Sequence, residues 1–82
     1  MTAPARVATF LLELAERRGA TSPIDLPMSR RDLADHLGLS VETLCRVLSL
    51  FAEARLMAIP NVDQVEIIDP IAIRAIADAE LQ

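Results

Sequence analysis

The most constraining feature of this 82-residue chain is a stretch of about fifteen residues in its middle, from Leu33 to Val47. Two amphipathic helical patterns there are separated by a single short turn. Leu33, Ala34 and Leu37 form the inward face of the first. Leu44, Val47, Leu48 and Phe51 follow at i, i+3, i+4 and i+7 in the second. Between them stand Gly38, which accepts positive φ, and Ser40, a good N-cap only two residues later. Two helices that cross steeply need a small residue at the crossing, and Ala34 supplies it. The pattern predicts a helix-turn-helix spanning residues 29–54, opened by Ser29. Ser29-Arg30-Arg31-Asp32 has the form of a capping box, with Asp in place of the preferred Glu or Gln.

The flanking segments complete the architecture. Residues 4–18 read as a helix with Val7, Phe10, Leu11 and Leu14 inward. Arg6, Glu13, Glu16 and Arg17 fall largely on its other face, and Gly19 suits its end. Residues 19–28 form a connector in which Ile24 and Leu26 suit a brief strand. Residues 56–68 read as two short strands around Pro60-Asn61-Val62-Asp63. Asp69-Pro70 starts a last helix over about 70–80, with Ala72, Ile73, Ile76 and Ala77 available for burial. The expected fold is mainly α with a small β wing, a single winged helix-turn-helix domain over 1–82.

Composition narrows the function. Hydrophobic residues make up 52% of the chain and charged residues 24%, a globular balance. Phe10 and Phe51 are the sole Phe, Trp or Tyr residues, which argues against a surface that stacks bases on rings. One Cys and one His give neither a disulfide framework nor a cysteine-ligated metal site, and no cofactor is expected. No apolar run approaches the ~18 residues of a membrane span, and the N-terminus has no signal-peptide layout. These features predict a soluble, cytoplasmic domain. Asp32, Asp35 and Glu42 do not form a catalytic pair, since capping and solvation account for the first two. No enzymatic activity is expected.

The net charge is −4, and residues 56–82 carry all of it: Arg74 stands against Asp63, Glu66, Asp69, Asp78 and Glu80. Such a balance opposes strong sequence-independent DNA affinity but leaves room for base readout by a few placed groups. Once the buried positions of the third helix are removed, Ser40, Val41, Glu42, Thr43, Cys45 and Arg46 remain near its start. Glu42 and Arg46, four apart, share one face. Arg pairs with guanine O6 and N7, and Glu accepts from cytosine N4. The same spacing also suits a simple exposed ion pair.

The run Leu26-Pro27-Met28-Ser29-Arg30-Arg31-Asp32-Leu33-Ala34-Asp35-His36-Leu37-Gly38-Leu39-Ser40-Val41-Glu42-Thr43-Leu44-Cys45-Arg46 resembles the C-terminal DNA-binding domain of Crp/Fnr transcriptional regulators. The likeness extends upstream to Arg6-Val7-Ala8-Thr9-Phe10-Leu11-Leu12 and covers roughly residues 5–70. It implies sequence-specific binding to double-stranded DNA, with residues 40–54 as recognition helix. Glu42, Cys45 and Arg46 would read bases, while Ser29, Arg30, Arg31, Ser40 and Thr43 would hold phosphates. Cys45 stands where Fnr and FixK branches often have Ser, and Val41 where the Crp branch has Arg. Both point to the Fnr/FixK-like side and to palindromic sites with TTGAT-like halves. The resemblance also implies a sensing β-barrel and a dimerisation helix ahead of this domain, with a homodimer formed through a segment absent from these residues.

Three departures from the family pattern stand out. Ala54-Arg55-Leu56 lacks the Gly common where the recognition helix ends, which suggests an altered turn. The wing tip, Pro60-Asn61-Val62-Asp63, has no basic residue, so its DNA contacts should be weak. Cys45 lacks the hydroxyl of Ser but can pack against a thymine methyl. The acidic half 56–82 also suits a rival reading, a winged-helix protein-interaction module with little DNA affinity. Other readings of single residues are a redox switch at Cys45 and a pH switch at His36; a contact residue and a solvent-facing helix residue are preferred.

Overall fold

The computed structural model describes residues 2–17 and 23–79. Seven elements follow in chain order: α1 (Ala3–Arg17), β1 (Ile24–Asp25), α2 (Arg30–Leu37), α3 (Val41–Glu53), β2 (Met57–Asn61), β3 (Gln64–Ile67) and α4 (Pro70–Asp78). This is the winged helix-turn-helix expected from the sequence. Gly19 as the end of the first helix, and Glu80 as the end of the last, lie outside the described residues.

The helices start where local chemistry predicts. Ser29 Oγ accepts the Asp32 N–H at 3.2 Å, and Ser40 Oγ accepts the Thr43 N–H at 3.1 Å. Asp69 Oδ1 accepts the Ala72 N–H at 3.1 Å, with Pro70 beginning the helix. Each cap satisfies one of the donors left over in a first helical turn.

One aliphatic core joins the elements. α1 contributes Val7, Ala8, Leu11, Leu12 and Leu14, α2 contributes Leu33 and Ala34, and α3 contributes Leu44, Val47, Leu48 and Phe51. Met57, Val65, Ile73 and Ala77 close it from the wing and α4. No polar or charged residue is buried among the described residues, so burial of apolar area holds the fold together with little polar framework. Two expected core residues sit further out. Phe10 is half-buried and meets the His36 ring edge-on, with centroids 5.8 Å apart. Leu37 is also half-buried, because its position at the end of α2 leaves the deep crossing to Leu33 and Ala34. Ala72 and Ile76 are likewise only half-buried on α4.

The wing is a three-stranded antiparallel sheet in the order β1-β3-β2. Ile24 pairs with Val65 and Asp25 with Gln64, so the connector strand lies against β3 and makes it central. β2 pairs Met57 with Ile67 and Ala58 with Glu66, then slips by one residue before Asn61 meets Gln64. Pro60 lies in that slip, where a residue without an N–H interrupts no regular ladder.

Candidate nucleic-acid interface

The geometry of the site begins at the turn between α2 and α3. Gly38 has φ of 72°. Its N–H donates to the Asp35 carbonyl at 3.2 Å, and the Leu39 N–H donates to the Ala34 carbonyl at 2.8 Å. This is a Schellman turn with glycine at its left-handed position. Arg6 reaches across from α1, and its Nη1 donates to the Leu37 carbonyl at 3.0 Å. The guanidinium thereby satisfies a last-turn carbonyl and lies at the negative end of the helix dipole. Arg6 was expected on the outer face of α1; instead it is half-buried and ties that helix to the turn.

The turn delivers α3 with its buried side fixed. Leu44, Val47, Leu48 and Phe51 face the core, so Val41, Glu42 and Arg46 face outward. Arg46 Nη2 donates to Glu42 Oε1 at 3.0 Å, with the two side chains 65% and 81% exposed. An exposed pair of this kind contributes only ~0.3–0.5 kcal/mol to a helix. It is therefore easily separated by a partner offering better hydrogen bonds. No other segment among the described residues covers it at that exposure.

The other residues singled out from sequence are distributed around this pair. Ser29 and Arg31 are exposed at the start of α2. Ser40 and Thr43 open α3, where the Ser40 hydroxyl donates to Thr43 Oγ1 at 2.9 Å. That leaves the Thr43 O–H to point elsewhere. Arg30 is half-buried, not free on the surface: its Nη1 lies 3.9 Å from Cys45 Sγ, and its Nε is buried without a partner. Cys45 is a half-buried free thiol. Nothing in the local pattern signals this contact, which joins residues fifteen apart.

At the far end of α3 the turn lacking glycine keeps the same geometry as the first. Arg55 has φ of 61°. Its N–H donates to the Ala52 carbonyl at 3.0 Å, and the Leu56 N–H donates to the Phe51 carbonyl at 2.9 Å. The altered turn expected from the absence of glycine is thus not found; Arg55 adopts the left-handed conformation itself. The wing tip beyond it is held by amides. Asn61 Nδ2 donates to Gln64 Oε1 at 2.7 Å, Gln64 Nε2 to Asp25 Oδ1 at 2.8 Å, and the Leu26 N–H to the Asp63 carbonyl at 2.7 Å.

A shallow hollow of about 290 Å³ lies beside α1 and α2, lined by Arg6, Thr9, Phe10, Glu13, His36 and Leu37, away from the Glu42–Arg46 face. Among the described residues no group of three or more His, Cys, Asp or Glu could hold a metal ion. No helix of the described residues is long and apolar enough to cross a membrane.

Fold and site together define a winged helix-turn-helix domain with a polar, outward-facing start to its second motif helix. Residues 5–76 match the Crp-like helix-turn-helix domain, and the chain belongs to that family, which is a DNA-binding family and not an enzyme family. The chain is 41% identical over 73 residues to the nitrogen fixation regulation protein FixK of Rhizobium meliloti (strain 1021), covering 89% of this chain and 35% of the relative. It is 39% identical over 85 residues to the transcriptional activator protein Anr of Pseudomonas protegens, covering 99% of this chain and 34% of Anr. The solved structure of FixK2 from Bradyrhizobium japonicum superposes with a TM-score of 0.86 at 37% identity, over 92% of this chain and 38% of that one. The chain thus spans about a third of the length of the relatives it matches.

Proposed function

We propose that this domain binds duplex DNA in a sequence-specific way, as the output domain of a Crp/Fnr-like bacterial transcriptional regulator. α3 enters the major groove of a TTGAT-like half-site with its N-terminal end toward the bases. Glu42 and Arg46 read base edges: the guanidinium takes guanine O6 and N7, and the carboxylate accepts from a cytosine amino group. Cys45 contributes to the same face. Ser29, Arg30, Arg31, Ser40 and Thr43 hold the flanking phosphates and so set register, not sequence. The regulator acts as a homodimer on a palindrome, its second half-site contact supplied through a segment outside these residues.

The observation that carries this reading is the Glu42–Arg46 pair, exposed together one helical turn apart on the leading part of α3. A carboxylate among phosphates is unfavourable unless it has a specific donor to meet, and a cytosine amino group is such a donor. The names of the similar regulators, which concern nitrogen fixation and transcriptional activation, agree with the role.

The test is a salt titration of binding to a duplex carrying a TTGAT palindrome and to a scrambled duplex. Binding should favour the palindrome and weaken steeply with salt. Arg46→Ala should lose about 1–3 kcal/mol on the palindrome and relax discrimination at one guanine. Equal losses on both duplexes would refute the assignment. Salt-insensitive binding without site preference would favour a protein-docking module instead.

A further inference from the structure

The geometry points to Cys45 as a positioning residue that seats the Arg30 guanidinium for phosphate contact, instead of touching a base itself. This rests on the DNA-binding reading above and refines one part of it. Arg30 and Arg31 are adjacent at the start of α2, yet they are placed differently. Arg31 is exposed, whereas Arg30 is half-buried and leans across to α3. Its Nη1 stands 3.9 Å from Cys45 Sγ, within reach of a weak, polarizable acceptor. Its Nε is buried and has no hydrogen-bond partner, so that part of the guanidinium is withdrawn from solvent.

Two consequences follow from that placement. First, the sulfur is partly covered. A thymine methyl packing on Cys45 would have to share the surface that Arg30 already occupies. Second, with Nε buried and one Nη1 hydrogen directed at sulfur, Nη2 and the outer N–H of Nη1 are the donors left for an incoming oxygen. The sulfur that Nη1 meets is on α3, where Glu42, Cys45 and Arg46 stand at i, i+3 and i+4. An arginine held there before binding loses less rotamer freedom when it meets a phosphate than one that starts free in solvent. Cys45 thus acts through Arg30, and the recognition helix carries the seat of a residue belonging to the helix before it.

The test is a double-mutant cycle on the full 82-residue chain, using Arg30→Ala, Cys45→Ala, their combination and Cys45→Ser. Binding is measured against palindromic and scrambled duplexes over a range of salt. Cys45→Ala should weaken both duplexes by a similar factor of about fivefold and flatten the salt slope toward that of Arg30→Ala. The double variant should be no weaker than Arg30→Ala, and Cys45→Ser, which keeps an acceptor, should restore most of the loss. Loss confined to the palindrome with an unchanged salt slope would overturn the proposal, because Cys45 would then read a base. Losses that multiply would overturn it too.

A readout without DNA guards against misfolding and against failure of the DNA reading. The side-chain Nε–H of Arg30, followed by nitrogen NMR in the free protein, should exchange faster with solvent in Cys45→Ala but not in Cys45→Ser. Unchanged exchange in both would refute the seating. A wild-type chain indifferent to the two duplexes would overturn the DNA reading and the phosphate part of this inference, while the exchange experiment still decides the seating.

Discussion

The two ends of the motif helices make the same turn with different residues. α2 closes through Gly38 at φ 72° and α3 through Arg55 at φ 61°. Both show the same pair of backbone bonds, one spanning three residues and one spanning five. The surroundings differ. A Cβ added to Gly38 would stand 3.1 Å from Arg6 Nη1, a guanidinium already committed to the Leu37 carbonyl. Arg55 is exposed, and its side chain extends into solvent. Where a neighbour stands this close to the left-handed position, a side chain would meet Arg6 in addition to the φ strain, and Arg6 would have to give by a few tenths of an ångström. Where the turn is open, the fold tolerates a side chain and carries the conformational strain, about 1 kcal/mol for a non-glycine residue.

Substitutions at these ends sharpen the contrast. The largest effect is expected for Gly38→Ala, which combines left-handed strain with crowding and should destabilise the chain by about 2 kcal/mol in urea unfolding. DNA affinity should fall further than stability predicts, because this turn aims α3. Arg6→Ala should cost about 1 kcal/mol by leaving the Leu37 carbonyl without its charged donor. Combining it with Gly38→Ala decides between strain and crowding. If crowding matters, the double variant will be more stable than the sum of the single losses allows; simple additivity would assign the whole glycine requirement to φ.

Arg55→Gly should move the other way, raising stability by about 0.5–1 kcal/mol, read as a higher urea midpoint at unchanged slope. A loss instead would mean that the Arg55 side chain contributes something that its exposure hides. The smallest effect concerns the wing that follows this second turn. Asp63 is exposed at its tip. Asp63→Lys should leave stability within about 0.5 kcal/mol while steepening the salt dependence of DNA binding by about one unit of slope. An unchanged slope would place the wing tip away from the phosphates.

Much of this was readable from the sequence because the rules involved act over a few residues. The three caps at Ser29, Ser40 and Asp69, the left-handed Gly38, and the buried stripe Leu44, Val47, Leu48 and Phe51 each depend on neighbours within about two helical turns. The exposed face with Glu42 and Arg46 is the complement of that stripe, so it was legible as well. The second left-handed residue was not. Absence of glycine suggested a different turn, whereas the packing of Phe51 below and Met57 beyond holds the chain to the same path.

What the sequence by itself determined is the order of elements, their caps, and which side of α3 faces out, since backbone sterics and the 3.6-residue period decide these locally. The tertiary structure decided where distant groups meet. Arg6 caps a carbonyl 31 residues away, Gln64 bonds Asp25 across 39, and Arg30 finds Cys45 across 15. Ile24 and Leu26 suit a brief strand locally, but the strand that forms is Ile24–Asp25, because only chain closure presents β3 as its partner. Contacts of this kind carry no local signature, because each depends on where the packed core leaves two side chains after the helices have docked.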